Sequence, residues 1–486
     1  MPLIIDPKLT PQRLVRKLEG LFDLSGPKIL ALETSWKPER GAPVFTVRGK
    51  YTARGWTEWT QGFQFGSALL QFDATGDKRL LEIGRRGTIE HMAGHVSHTG
   101  VHDHGFNNIS TYGNLLRLMR EGRIAFDERE KGIYELALKV SGAIQAARWT
   151  RTADGIGYIH SFNGAHSLFI DTMRSLRSLA VAHQLGHALM SEGDQRISLL
   201  QRLVEHAVNT ARFNVYYGTG RDAYDVRGRV AHESIFNVTD GSYRCPGSQQ
   251  GYSPFSTWSR GQAWAILGFA EQLEILDALG RDHFPDLLAR PSSTPSRKRA
   301  GETAIRSTAR SPQSAHAFEA MMVEAATAAA SRYLETCCAD GIPFWDDAAP
   351  GLVSLVGHGL RAADPFNQWE PVDSSAAVIA AQGLVRLGNY LKAHAEERQG
   401  TQLRLAGLTI ANTLFDEPYL ATDSNHQGLI LHSVYHRPNG WDYVPRGQKV
   451  PNGESSMWGD YHARELALLL LREAKGEASP TFFCPC

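Results

Sequence analysis

About twelve Ala- and Leu-rich stretches at helical period run along this chain, separated by short loops of Gly, Asp and Pro. They fall near 10–22, 62–75, 77–96, 107–121, 127–148, 168–190, 194–214, 259–280, 315–338, 372–395, 399–416 and 459–475. Alternating, strand-like runs are few and short: Phe45-Thr-Val, Ile235-Phe-Asn-Val and His432-Ser-Val-Tyr-His. The pattern predicts an all-α protein with a few strands in its loops. Ala74-Thr-Gly-Asp77-Lys-Arg and Ser191-Glu-Gly-Asp194-Gln-Arg each read as a helix ended by Gly and a next helix capped by Asp, and Gly280-Arg-Asp-His is similar. Such hairpins, 30 to 60 residues apart, suggest a solenoid or a closed toroid. Twelve helices on one chain favour the closed (α/α)6 barrel, with an open superhelix as the alternative.

Residues 1–486 read as a single domain. Segment 290–314 is rich in Pro, Ser and Arg and poor in large apolar groups, which predicts a flexible insertion between helices. A nucleic-acid tail would need interleaved aromatics, and this segment has none.

Lys+Arg and Asp+Glu balance at 51 each, so no global field draws the chain to nucleic acid or an anionic membrane. No apolar run approaches the ~20 residues of a membrane span. The N-terminal stretch is charged and amphipathic, unlike a signal peptide. The five cysteines are odd in number and lack metal-ligand spacing, which predicts a reducing, cytoplasmic setting.

The segment from Gln250 to Trp264 offers an amide, a fixed cation and two indoles. On a helix beginning near Gly261, Arg260 and Trp264 share one face. A guanidinium beside aromatic planes suits a ligand that is both an anion and a ring, such as a sugar acid; it also suits an Arg–Trp pair that stabilises a helix start. Leu168-Phe-Ile-Asp171 places an acid in an apolar run at a helix start. Desolvation, and a second carboxylate such as Asp103, would raise its pKa and keep a proton available near neutral pH. The other reading is a plain N-cap.

Asp103 lies between His102 and His104, as a loop anchor or as a charged site residue. His91, His95 and His98 fall on one predicted helical face that could chelate zinc, but no acidic base lies between them and no paired cysteines lie near, so packing and capping roles are favoured. His232 is read as structural or as a ligand contact. Asp373-Ser-Ser and Ser455-Ser456-Met-Trp458 read as capped helix starts whose hydroxyls could meet sugar or sulfate oxygens. Trp59 and Trp149 are possible stacking platforms.

Six of these stretches, in order, resemble the unsaturated glucuronyl hydrolases of glycoside hydrolase family 88. They are Trp-Thr-x-Gly-Phe (59–63), His-Asp-x-Gly-Phe (102–106), Ile-Asp-Thr-Met (170–173), the Gln-Gly-Tyr…Trp segment (250–264), Asp-Ser-Ser-Ala-Ala (373–377) and Trp-Gly-Asp-Tyr (458–461). The resemblance implies an (α/α)6 barrel. It also implies hydration of the vinyl ether of a Δ4,5-unsaturated uronic acid at a non-reducing end: C4 is protonated, water adds at C5, the hemiketal opens and the remaining sugar leaves.

By the same resemblance Asp171 is the general acid/base and Asp103 the second carboxylate. His232, Gln250, Arg260 and Trp264 contact substrate, Trp59 and Trp149 stack on rings, and no metal or organic cofactor is implied. The expected partner is an unsaturated disaccharide, with the enzyme a monomer or weak dimer. Gln61, His104, the long segment 216–231 and the insertion 290–314 depart from the family pattern around the funnel mouth. A related unsaturated rhamnogalacturonyl hydrolase and a conventional glycosidase are the alternative enzymes. A carbohydrate- or metal-binding helical protein is the non-enzymatic one.

Overall fold

The computed structural model describes residues 2–55, 58–284, 312 and 314–484. Within them lie twelve helices of eight residues or more: α1 (Pro11–Ser35), α2 (Gln61–Thr75), α3 (Lys78–His91), α4, α5 (Glu128–Ala147), α6 (Arg177–Gln184), α7 (Leu199–Phe213), α8 (Ser259–Leu279), α9 (Ala315–Thr336), α10 (Ser374–Ala393), α11 (Glu397–Leu414) and α12 (Met457–Ala474). Helix α4 starts as a π-helix over Gly105–Gly113 and continues as an α-helix over Asn114–Arg120. A single helical turn, Thr172–Ser175, leads into α6.

The even-numbered helices form a closed inner ring, α2–α4–α6–α8–α10–α12 and back to α2, in which α8 packs on the turn Thr172–Ser175 that leads into α6, and each odd-numbered helix leans on the outside. This is the expected (α/α)6 barrel. Burial explains the division. Helices α8, α10 and α12 are buried nearly all round, as an inner ring requires. Helix α7 is apolar on one face only, with Leu200, Leu203, Val204, Ala207 and Ala211 turned inward.

Two glycines permit close approach of inner helices. A Cβ on Gly62 would sit 2.4 Å from Asn107 Cα, and one on Gly105 would sit 2.4 Å from the carbonyl oxygen of Ser175. Inside the ring, Arg174 pairs with both Glu271 and Glu465, tying α8 and α12 to the turn before α6. All three side chains are buried.

Several boundaries differ from the sequence reading. Helix α1 runs past residue 22 because Ser25, Ile29 and Leu32 carry its buried stripe through Ser-Gly-Pro to Ser35. The stretch 168–190 is not one helix: Ser167–Phe169 is a strand paired with Glu233–Phe236, and Leu189–Met190 pairs with Arg196–Ile197 in a hairpin. That hairpin turns at Gly193, so Asp194 caps nothing, and Ser198 caps α7 through the amide of Gln201. Asp77 does cap α3 as expected, through the amide of Arg79. Phe45-Thr-Val and Ile235-Phe lie in strands, whereas the His432 run does not, and His432 itself has φ +67°. Of the expected insertion 290–314, all but residues 312 and 314 lie outside the described residues.

Candidate active site

The inner helices all begin at the same end of the barrel, so the loops before them converge. Those loops carry Trp59, His102-Asp103, Asp171, Trp258, Asp373 and Ser456 to one place. The strand Ser167–Phe169 delivers Asp171, and the amide of Ile170 donates to the carbonyl of His232 at 3.0 Å, fixing the two loops together.

The decisive geometry is a histidine between two acids. His102 Nε2 lies 3.1 Å from Asp171 Oδ1 and 3.6 Å from Asp103 Oδ1, and all three residues are buried. Burial pushes Asp171 up, but the charge of His102 and its hydrogen bond outweigh it and hold Asp171 below the usual carboxylate range. At Asp103, burial together with the charge of Asp171 outweighs the attraction of His102 and Arg148, and the carboxyl is raised. Burial alone would depress His102; the two carboxylates outweigh it and raise it. The expectation that Asp171 is the raised acid is therefore corrected. Asp103 and His102 are raised and Asp171 is lowered, because His102, which the sequence reading did not place as a bridge, stabilises the charged form of Asp171.

His232 flanks this unit, packed between the rings of Phe169 and Trp258, each 4.6 Å away. Burial pushes it down to about 4, so it is neutral near pH 7. Its Nδ1 accepts from the amide of Gln249 at 3.1 Å, which places the proton on Nε2. That Nε2 has no partner among the described residues, and neither has Nδ1 of His102.

Arg260 is where expectation and structure part. Its Nη1 donates to Asp373 Oδ2 at 2.8 Å and to the carbonyl of Val434 at 2.7 Å. Its Nη2 donates to Gln250 Oε1 at 2.8 Å and to the carbonyl of Tyr435 at 2.9 Å. The fork grips a carboxylate, but that carboxylate belongs to Asp373, the residue that caps α10. Arg260 thus ties α8 to α10 and holds Gln250 in place, leaving the Gln250 amide nitrogen as the donor side of that residue.

Ser455 and Ser456 are fully buried. Ser455 Oγ donates to the carbonyl of Ile430 at 2.6 Å and Ser456 Oγ accepts the amide of Gly459 at 3.1 Å, so both hydroxyls serve the start of α12 instead of the expected sugar oxygens. Trp264 lies beneath the site against Phe106 and His462, each ring 5.1 Å away, as floor and not as gripping wall. Trp59 is half-buried and stacks on Trp458 at 5.2 Å.

Trp149 sits in a small outer hairpin, Trp149–Arg151 with Gly157–Ile159. Arg202 lies 4.5 Å over its ring, and a Cβ on Gly157 would strike the ring at 2.1 Å. That packing contributes to the hairpin and gives no contact with the acid cluster. A ring the sequence reading missed does reach it: Phe162, 36% exposed, stacks on His102 with centroids 5.9 Å apart. Its only sequence signal is an isolated aromatic in a polar loop.

The three histidines of the predicted zinc-capable face are not gathered into a site. Helix α3 ends at His91, which stacks on Phe65, and His95 Nδ1 meets the Asn107 amide at 3.0 Å. Among the described residues no group of three or more His, Cys, Asp or Glu is placed to hold a metal ion.

Comparison with known proteins finds relatives along most of the chain. The chain is 25% identical over 437 residues to the unsaturated glucuronyl hydrolase of Bacillus sp. (strain GL1), covering 88% of this chain and 90% of that one. The chain is related to the unsaturated glucuronyl hydrolases. It is also 21% identical over 449 residues to the unsaturated chondroitin disaccharide hydrolase of Streptococcus agalactiae serotype III, covering 88% of this chain and 85% of that protein. A solved unsaturated glucuronyl hydrolase specific for heparin superposes with a TM-score of 0.67 at 18% identity, over 95% of this chain and 98% of that one, and this likeness shows the fold. No family model matches the chain.

Proposed function

We propose that this chain removes the Δ4,5-unsaturated uronic acid from the non-reducing end of lyase-generated oligosaccharides by hydrating its C4=C5 vinyl ether. The observation that carries this reading is the Asp103–His102–Asp171 unit at the mouth of the inner ring. Two carboxylates within reach of one imidazole nitrogen form a single proton-sharing unit. A conventional glycosidase needs its two carboxylates on opposite sides of the scissile bond. Hydration of an enol ether needs a single acid/base on one face, with a means of recharging it.

In this reading Asp171 gives a proton to C4, drawn through His102 from the raised Asp103. Asp171 then takes a proton from the water that adds at C5. The hemiketal so formed breaks its C5–O5 bond, C1 collapses to the aldehyde, and the remaining sugar leaves with its oxygen. The Nε2–H of His232 and the amide of Gln250 are the donors for the sugar's carboxylate or hydroxyls. Phe162, stacked on His102, and the half-buried Trp59 are the aromatic surfaces proposed to meet the sugar rings.

The leaving sugar is proposed to be a glycosaminoglycan unit, supported by the likeness to a chondroitin disaccharide hydrolase and to a heparin-specific enzyme. We place the enzyme in the cytoplasm, a reading supported by free thiols at Cys245, Cys337, Cys338 and Cys484, and propose that it is a monomer or weak dimer. No helix among the described residues is long and apolar enough to cross a membrane.

The test is the ultraviolet absorbance of the double bond in a panel of unsaturated disaccharides. Loss of the band with release of the second sugar is expected. A flat trace across the panel with folded protein would remove the proposal.

A further inference from the structure

A second polar cleft lies away from the acids, between α1, α2 and α12. Its lining includes Lys28, Tyr51, Gln64, Ser67, Asp460 and Arg464. Two cations in it are buried, Lys28 at 5% exposure and Arg464 at 3%. Neither has a carboxylate partner among the described residues.

Lys28 Nζ donates to the main-chain carbonyls of Asp423 at 2.9 Å and His426 at 2.5 Å. Arg464 Nε donates to Ser25 Oγ at 2.7 Å and Nη1 to Ser67 Oγ at 3.2 Å. Its Nη2 and the third proton on Lys28 Nζ have no partner among the described residues.

The charge count is uneven. Asp460 is the buried acid of the cleft, and it accepts from Tyr51 Oη at 2.6 Å and from the amides of Leu429 and Ile430 at 2.8 and 2.9 Å. Glu33, at the rim, pairs with Arg86. Lys50 and Asp423, both exposed, act on Lys28 with opposite signs. Two buried cations thus face one buried anion, and an uncompensated charge away from water is costly.

We infer that this cleft binds a monovalent anion of halide size between Lys28 and Arg464. A dianion is disfavoured because Asp460 stands beside the same two cations. The ion would fasten α1 to α12, the helix whose first turn carries Trp458 to the active site. Burial, opposed by Asp460 and reinforced by Arg464, holds Lys28 below its ordinary value, and a bound anion would raise it.

Two measurements on the unaltered protein decide the matter. In crystals soaked in bromide, an anomalous peak is expected within hydrogen-bond reach of both Lys28 Nζ and Arg464 Nη2. In solution, Tm is expected to climb by about 1–2 °C per tenfold rise in chloride above half-saturation, and not in gluconate at equal ionic strength. Equal slopes in the two salts overturn the site. So does a crystal without the peak, and a peak with no chloride-specific rise in Tm would mean binding at crystal concentration only, which also overturns it.

Discussion

Arg260 and Asp373 form a buried ion pair, Nη1 to Oδ2 at 2.8 Å, that joins the first turn of α8 to the cap of α10. Replacing Arg260 by Ala leaves Asp373 charged and unpartnered on that side in a site it cannot leave. The expected loss is about 3–5 kcal/mol of folding stability, the usual consequence of breaking a buried pair from one side. Lys would restore the charge but not the planar fork of hydrogen bonds, so Arg260→Lys should recover only part of it. Denaturant melts of both variants would show this. A variant as stable as the parent, with only KM raised, would return Arg260 to the role of substrate carboxylate clamp.

Asp171→Asn should leave the fold intact, because the amide oxygen can still accept from His102. It removes the group that carries a proton to C4 and from water, so kcat should fall by at least about 10²–10⁴-fold while KM changes little. Steady-state kinetics on an unsaturated disaccharide measure both. Residual activity within tenfold of the parent would assign the acid/base elsewhere in the cluster.

What could be read from the sequence follows from the range of each interaction. Helical period and caps act over a few residues, and so the twelve helices, the Asp77 cap and the helix starts at Asp373 and Ser456 were legible. The same short range misled at Asp194, where an Asp after Gly closes a hairpin instead of capping a helix. Asp103 and Asp171 were recognisable as acids in unusual settings. Their relation to His102, 69 residues from Asp171, depends on the ring closing, and no local pattern encodes it. The same holds for Arg260, whose carboxylate lies 113 residues away, and for the buried Arg174–Glu271–Glu465 cluster.

Gly105→Ala tests the close contact that places the acids. The added methyl would meet the Ser175 carbonyl at 2.4 Å, and that oxygen is main chain and cannot swing aside. The amide of Gly105 also donates to Ser175 Oγ at 2.8 Å, so the shift would move Asp103 away from the turn that follows Asp171. A loss of about 1–3 kcal/mol is expected from overpacking, with kcat falling more than stability alone explains. Unchanged kcat in the folded variant would mean that the acids tolerate the displacement.

Asp103→Asn changes the titration of the whole unit in a direction that can be worked out. His102 is raised because two carboxylates outweigh its burial. Its stabilising contribution is present below its unfolded value and is lost as pH rises through the folded one. Removing the charge of Asp103 leaves one carboxylate against the same burial, so His102 moves down, and the alkaline limb of kcat/KM should move to lower pH with it. Asp171 behaves in the opposite sense: its lowered carboxyl contributes above its unfolded value and loses that contribution as pH falls through the folded one. The substitution leaves the His102 hydrogen bond to Asp171 in place, so the acid limb should not move to higher pH. An NMR titration of the His102 ring follows the first shift directly, in the absence of turnover. A His102 that titrates unchanged in the variant would show that Asp103 does not set its charge, and the proton route through it would have to be abandoned.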